Sequence, residues 1–83
     1  MEEQNYQPMH TRRILAKRVR LLRAAHGWSQ DVLSEVSGLH RTYISMIECG
    51  ACNIGLDNIE RLATALGVSV HGLLNPSQSI LVE

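Results

Sequence analysis

Apolar residues recur along this chain at the spacing of helix faces. From Thr11 onward, Leu15, Val19 and Leu22 stand at i, i+4 and i+7, and Ile14 and Leu21 broaden the stripe. Gly27 predicts a left-handed stop to this first helix. Ser29 is the N-cap of a second, short helix with Asp31 in its first turn, Val32, Leu33 and Val36 available for burial, and Gly38 at its end. A third helix is expected over about 40–49, with Ile44 and Ile47 inward and Gly50 as its stop. After a linker over 51–55 comes the clearest amphipathic stretch, Leu56, Ile59, Leu62, Ala63 and Leu66, closed by Gly67. Ser69 caps a short fifth helix through Leu74, which Asn75-Pro76 terminates. The expected fold class is therefore all-α, with five helices.

At 83 residues the chain has room for one small domain, which excludes a multidomain enzyme. Hydrophobic residues make up 45%, enough to fold, but with no Phe, one Trp and two Tyr the core must come from Ile, Leu, Val and Ala. A core this thin favours oligomerisation as a supplement. Residues 1–9 read as a flexible arm, 10–76 as the folded domain and 77–83 as a tail. The tail's Ile80, Leu81 and Val82 are apolar enough to pack on the domain or on a partner.

Two Cys are too few for a secreted disulfide scaffold, and the first residues have neither the basic nor the apolar region of a signal peptide, so the cytosol is the expected compartment. Residues 62–82 carry no Asp, Glu, Lys or Arg, yet His71, Asn75, Pro76, Ser77, Gln78 and Ser79 interrupt them, and no membrane span is expected. The zero net charge conceals a gradient. Arg12, Arg13, Lys17, Arg18, Arg20 and Arg23 lie between His10 and Gly27 with no acidic residue among them, whereas after Trp28 only Arg41 and Arg61 are basic. One end of the molecule should be positive.

Catalytic signatures are missing: no GxSxG surrounds a serine, there is no HExxH, and the Gly50 to Gly55 spacing lacks the Lys of a phosphate-binding loop. Neither an enzyme nor a cofactor is expected. Cys49-Gly50-Ala51-Cys52 is a CxxC, a spacing that can chelate zinc or form a redox disulfide. No second CxxC or HxxxH accompanies it, so no metal site is assigned, and a metal- or thiol-responsive regulator using Cys49 and Cys52 stays an alternative.

The run Trp28-Ser29-Gln30-Asp31-Val32-Leu33-Ser34, followed by Ser37-Gly38-Leu39-His40-Arg41-Thr42-Tyr43-Ile44-Ser45-Met46-Ile47-Glu48-Cys49-Gly50, resembles the helix-turn-helix of the lambda repressor/Cro type, the XRE family. Residues 56–70 are similar to that family's fourth helix and its exit, and with Arg18 to Arg23 the resemblance covers about 12–75. Within the family, Leu39-His40-Arg41-Thr42-Tyr43-Ile44-Ser45 is similar to the controller proteins of restriction-modification systems. Ser34 stands where the family usually has a small Ala, His40 where it has a Ser, Thr or Asp cap, and Cys49 and Cys52 where Arg or Lys often reach phosphates. The resemblance implies a lambda-repressor-like fold and a sequence-specific transcriptional regulator, dimeric on a palindromic stretch of double-stranded DNA. An antitoxin-type regulator that also binds a toxin protein is the alternative from the protein-interaction class.

Taking Tyr43, Ile44 and Ile47 as the inward side of the third helix leaves Arg41, Thr42, Ser45, Met46 and Cys49 outward. An Arg can donate two parallel bonds to guanine O6 and N7, and Thr or Ser can bond a base edge, so Arg41, Thr42 and Ser45, flanked by His40 and Tyr43, are the candidate base contacts. Gln30 at the start of the second helix, Asn53 in the following loop, and Arg12, Arg13 and Lys17 are the candidate phosphate contacts. Arg23 and Glu48 match positions that the family joins in an ion pair. Val68, Val70, Leu73 and Leu74, with Ile80, Leu81 and Val82, are the candidate dimer interface.

Overall fold

A computed structural model describes residues 9–77, so most of the expected arm, and Ile80, Leu81 and Val82 of the tail, lie outside the described residues. Five helices follow in order: α1 His10–His26, α2 Gln30–Ser37, α3 Arg41–Glu48, α4 Leu56–Leu66 and α5 Val70–Leu74. Their ends are set by local chemistry. The Ser29 hydroxyl accepts from the Val32 amide at 3.1 Å and starts α2. Ser69 does the same for Gly72 at 3.0 Å and starts α5. Gly27 and Gly67, at φ 76° and 78°, turn the chain left-handed and satisfy the last carbonyls of α1 and α4.

The helix faces meet around Leu15, Val19, Leu22, Leu33, Leu39, Ile44, Ile47, Ile59, Leu62, Ala63, Leu66 and Leu73, all buried. At about 1.5–3 kcal/mol for a fully buried Leu, Ile or Val, this cluster is the main favourable contribution to folding. Helix α1 packs on α3, α4 and α5, while α2 packs on α3 and α4, so α3 is held from two sides. Trp28 is half-buried against the core and stacks on His26 with ring centroids 4.0 Å apart, and the His26 ring nitrogen Nε2 lies 2.9 Å from the Leu66 carbonyl. That contact ties the end of α1 to the end of α4.

Several expectations from the pattern fail in instructive places. Leu56 is 76% exposed because it is the first residue of α4, one turn before the helix reaches the core. Val36 is 50% exposed, and Leu21 lies outward on α1. Leu73, expected at a dimer interface, is fully buried under α1 and is unavailable to a partner subunit. Arg18, counted in the positive end, is buried instead. Its Nε donates to the Leu73 carbonyl at 3.2 Å and its Nη2 to the Gly72 carbonyl at 2.9 Å, binding α5 to α1 through carbonyls at a helix end.

Candidate nucleic-acid interface

The turn between α2 and α3 is built by three small residues. Gly38, at φ 77°, adopts the left-handed conformation and donates its amide to the Ser34 carbonyl at 2.9 Å. The Ser34 hydroxyl donates to the Leu39 carbonyl at 2.6 Å, and the Leu39 amide donates to the Ser37 hydroxyl at 3.2 Å. Serine at 34 therefore adds a bond across the turn that Ala could not make. His40 then caps α3: its Nδ1 accepts from the Thr42 amide at 3.1 Å, as an Asp or Ser oxygen would. An accepting Nδ1 means that the neutral ring carries its proton on Nε2.

Glu48, at the other end of α3, is the junction of three helices. The Arg23 guanidinium of α1 straddles its carboxylate, Nε to Oε2 at 2.7 Å and Nη2 to Oε1 at 2.9 Å, with a third donor, Nη1, on the Trp28 carbonyl at 2.9 Å. Gln30 Nε2, from α2, donates to Glu48 Oε1 at 3.0 Å. Arg20 donates to the Glu48 backbone carbonyl and so closes the C-terminal end of α3. The hydrogen bonds to Glu48 hold the Arg23 pKa above its ordinary value; partial burial pulls it down, and the carboxylate's charge adds to the rise. A two-pronged pair of this kind fixes direction as well as distance, so α3 is aimed by α1 and α2 together.

Beyond that junction, Arg41 and Thr42 are exposed at the start of α3, next to the exposed His40. Ser45, one turn later, is half-buried, and Met46 is exposed. Tyr43 sits between face and core: its hydroxyl donates to the Asn53 carbonyl at 3.5 Å and accepts from Asn58 Nδ2 at 3.4 Å, bracing α3 against the following loop and α4. Arg12 donates to Asn53 Oδ1, so α1, the loop and Tyr43 form one polar group. Gln30 is half-buried and spends its side-chain amide on Glu48, which leaves the backbone at the start of α2 as its surface for an anion. Arg13 and Lys17 lie elsewhere, along a groove on α1 shared with His10, Ile14, Leu21 and Pro76. Of the expected base contacts, His40, Arg41 and Thr42 thus stand exposed together at the start of α3, while Tyr43 and Ser45 are half-buried. The expected phosphate contacts fall in three places: Gln30 at the start of α2, Arg12 with Asn53, and Arg13 with Lys17 along this groove.

Sequence reasoning missed Asp31, whose carboxylate lies 2.9 Å from Arg41 Nε. An acidic residue near the start of a helix is ordinary, and only the folded turn brings it beside Arg41. Arg20 reads as a surface charge in the sequence, since its position on α1 does not disclose that α3 ends within its reach. Cys49 is the exposed C-cap of α3 and Cys52 packs against the core; both are free thiols. Among the described residues there is no group of three or more His, Cys, Asp or Glu able to hold a metal ion, and no helix long and apolar enough to cross a membrane.

An all-helical domain that pins one short helix from two sides and exposes its first turn has the architecture of the helix-turn-helix DNA-binding proteins. Residues 19–73 match the family described as Helix-turn-helix, and the chain belongs to this family of DNA-binding transcription regulators. It is similar to the Neisseria hypothetical transcription factor of Neisseria meningitidis serogroup B, at 49% identity over 70 residues that span 84% of this chain and 66% of that protein. A crystal structure of the hypothetical transcription factor NHTF from Neisseria superposes with a TM-score of 0.79 at 42% identity, covering 94% of this chain and 90% of that one. The control protein C.SmaI of Serratia marcescens is 46% identical over 66 residues, 80% of this chain and 79% of that protein. The restriction-modification controller protein C.AhdI of Aeromonas hydrophila, as a crystal structure, aligns at 42% identity with a TM-score of 0.72, covering 75% of this chain and 94% of that one.

Proposed function

We propose that the chain is a regulator of the restriction-modification controller kind, which binds a palindromic DNA operator as a homodimer and sets transcription from it. The observation that carries this reading is the exposed pair Arg41 and Thr42 at the start of an α3 locked in place through Glu48. In this motif the N-terminal part of the recognition helix, α3 in this chain, meets base edges in the major groove, so Arg41 reads a guanine, Thr42 a base edge or thymine methyl, and His40 and Ser45 flank them. Tyr43 braces the helix rather than leading the contact. Backbone amides at Gln30, together with Arg12 and Asn53, bind the flanking phosphates, and Arg13 and Lys17 add charge further out. The similarity to C.SmaI and C.AhdI supports the controller assignment.

One α3 covers only a few base pairs, so a useful affinity requires two half-sites and a two-fold pair of subunits. Val36, Val68 and Val70 line a groove between α2, α4 and the start of α5 together with Arg61 and Glu60, and with the half-buried Leu74 of α5 they are the surface proposed for self-association. Footprinting on the DNA upstream of the chain's own gene tests the reading together with sedimentation. A protected palindrome and a dimer on it are expected. Protection of a site without internal symmetry, bound by a monomer, would contradict it.

A further inference from the structure

We infer that Asp31 is a positioning residue for base recognition: its carboxylate presets the Arg41 guanidinium for guanine, which makes Asp31 a determinant of sequence discrimination although it reads no base itself. The inference rests on the reading of Arg41 as a base contact and extends it. The ion pair bridges the first turn of α2 and the first residue of α3, Arg41 Nε to Asp31 Oδ1 at 2.9 Å. Both side chains are largely exposed, 63% for Arg41 and 75% for Asp31, so water screens the pair and it contributes little to holding the fold. Its consequence lies in orientation. A guanidinium bound through Nε turns its other edge, Nη1 and Nη2, outward, and those two nitrogens supply the parallel donors that match guanine O6 and N7.

The electrostatics agree with this placement. An aspartate in the first turn of α2 is favoured by the positive end of that helix. Arg41, a cation at the positive end of α3, is disfavoured there, and the carboxylate offsets that. An anion beside the DNA-facing surface also weakens attraction to phosphates, which every sequence shares. That shared loss cancels in the ratio of specific to non-specific affinity, so the ordering of Arg41 is what raises discrimination.

The test is a double-mutant cycle on two duplexes: the palindrome that the unaltered protein enriches from a random-sequence library, and a scrambled duplex of the same composition. Asp31→Ala is expected to leave the melting temperature within a few degrees and to lower the ratio of specific to scrambled affinity about 2- to 12-fold, the scale of ordering one long side chain. Asp31→Asn, nearly isosteric, is the second variant should Asp31→Ala fray α2. In the Arg41→Ala background, Asp31→Ala should leave the ratio unchanged. Two results overturn the inference: affinities for both duplexes shifting by the same factor, which makes Asp31 a repelling surface charge only, or an equal loss of ratio without Arg41. If Arg41→Ala alone leaves the ratio intact, the base-reading assignment itself fails, a result distinct from either of these.

Discussion

Replacing Glu48 with Ala separates what holds α3 from what α3 touches. The carboxylate is 4% exposed and takes three hydrogen bonds, two from Arg23 and one from Gln30. Removing one partner of a buried pair costs roughly 3–5 kcal/mol, chiefly because the other charge is left buried. Arg23, however, is 21% exposed and keeps its bond to the Trp28 carbonyl, so water reaches part of the guanidinium and the loss should be smaller, about 2–3 kcal/mol. For a domain of this size each kcal/mol moves the melting temperature by roughly 4–8 °C, so Glu48→Ala should melt some 10–20 °C lower. Urea unfolding followed by circular dichroism gives the free energy directly, and the dependence on urea should be unchanged in slope. Well below its melting point the variant should still bind DNA, because Glu48 faces the core. A melting temperature within a degree or two of the unaltered protein would refute the reasoning and place the junction of α1, α2 and α3 elsewhere.

Gly38→Ala forces a Cβ into a left-handed turn at φ 77°, with the Arg61 Nη1 at 3.4 Å; the end of that side chain can yield, so the backbone sets the cost at about 1–2 kcal/mol, read from urea midpoints. Ser34→Ala restores the residue common in the family but deletes the bond to the Leu39 carbonyl, and should lose on the order of 1 kcal/mol with operator affinity unchanged below the melt. Val68→Asp puts a charge on the half-buried surface proposed for self-association, and sedimentation should show monomer at concentrations where the unaltered protein is dimeric.

The helices and their order were legible because four of the five carry plain punctuation: Gly27, Gly38 and Gly67 end three of them, and Ser29 and Ser69 start two. The Arg23–Glu48 contact could be read only through the family resemblance, since nothing local in residues 25 positions apart announces that they meet. What stayed hidden has the same physical origin. Arg18 and Arg20 look alike as surface charges on α1, yet one is sealed against α5 and the other reaches the end of α3, because the packing of neighbouring helices decides which face of α1 sees water. Likewise Leu73 reads as an apolar residue available to a partner until α1 covers it. His40 could be recognised as unusual for its position, but that an imidazole nitrogen takes over the cap depends on its side-chain rotation.

The central claim is that α3 reads sequence through Arg41 and Thr42, and the most direct measurement compares the affinities of the unaltered protein, Arg41→Ala and Thr42→Ala for operator and scrambled duplex at two salt concentrations. Arg41→Ala should weaken operator binding by about 1–3 kcal/mol and scrambled binding far less, so that discrimination shrinks. Equal losses on both duplexes, with the salt dependence shallower by about one charge, would make Arg41 a phosphate contact. Operator affinity untouched by both substitutions would contradict the account and move the recognition surface off α3.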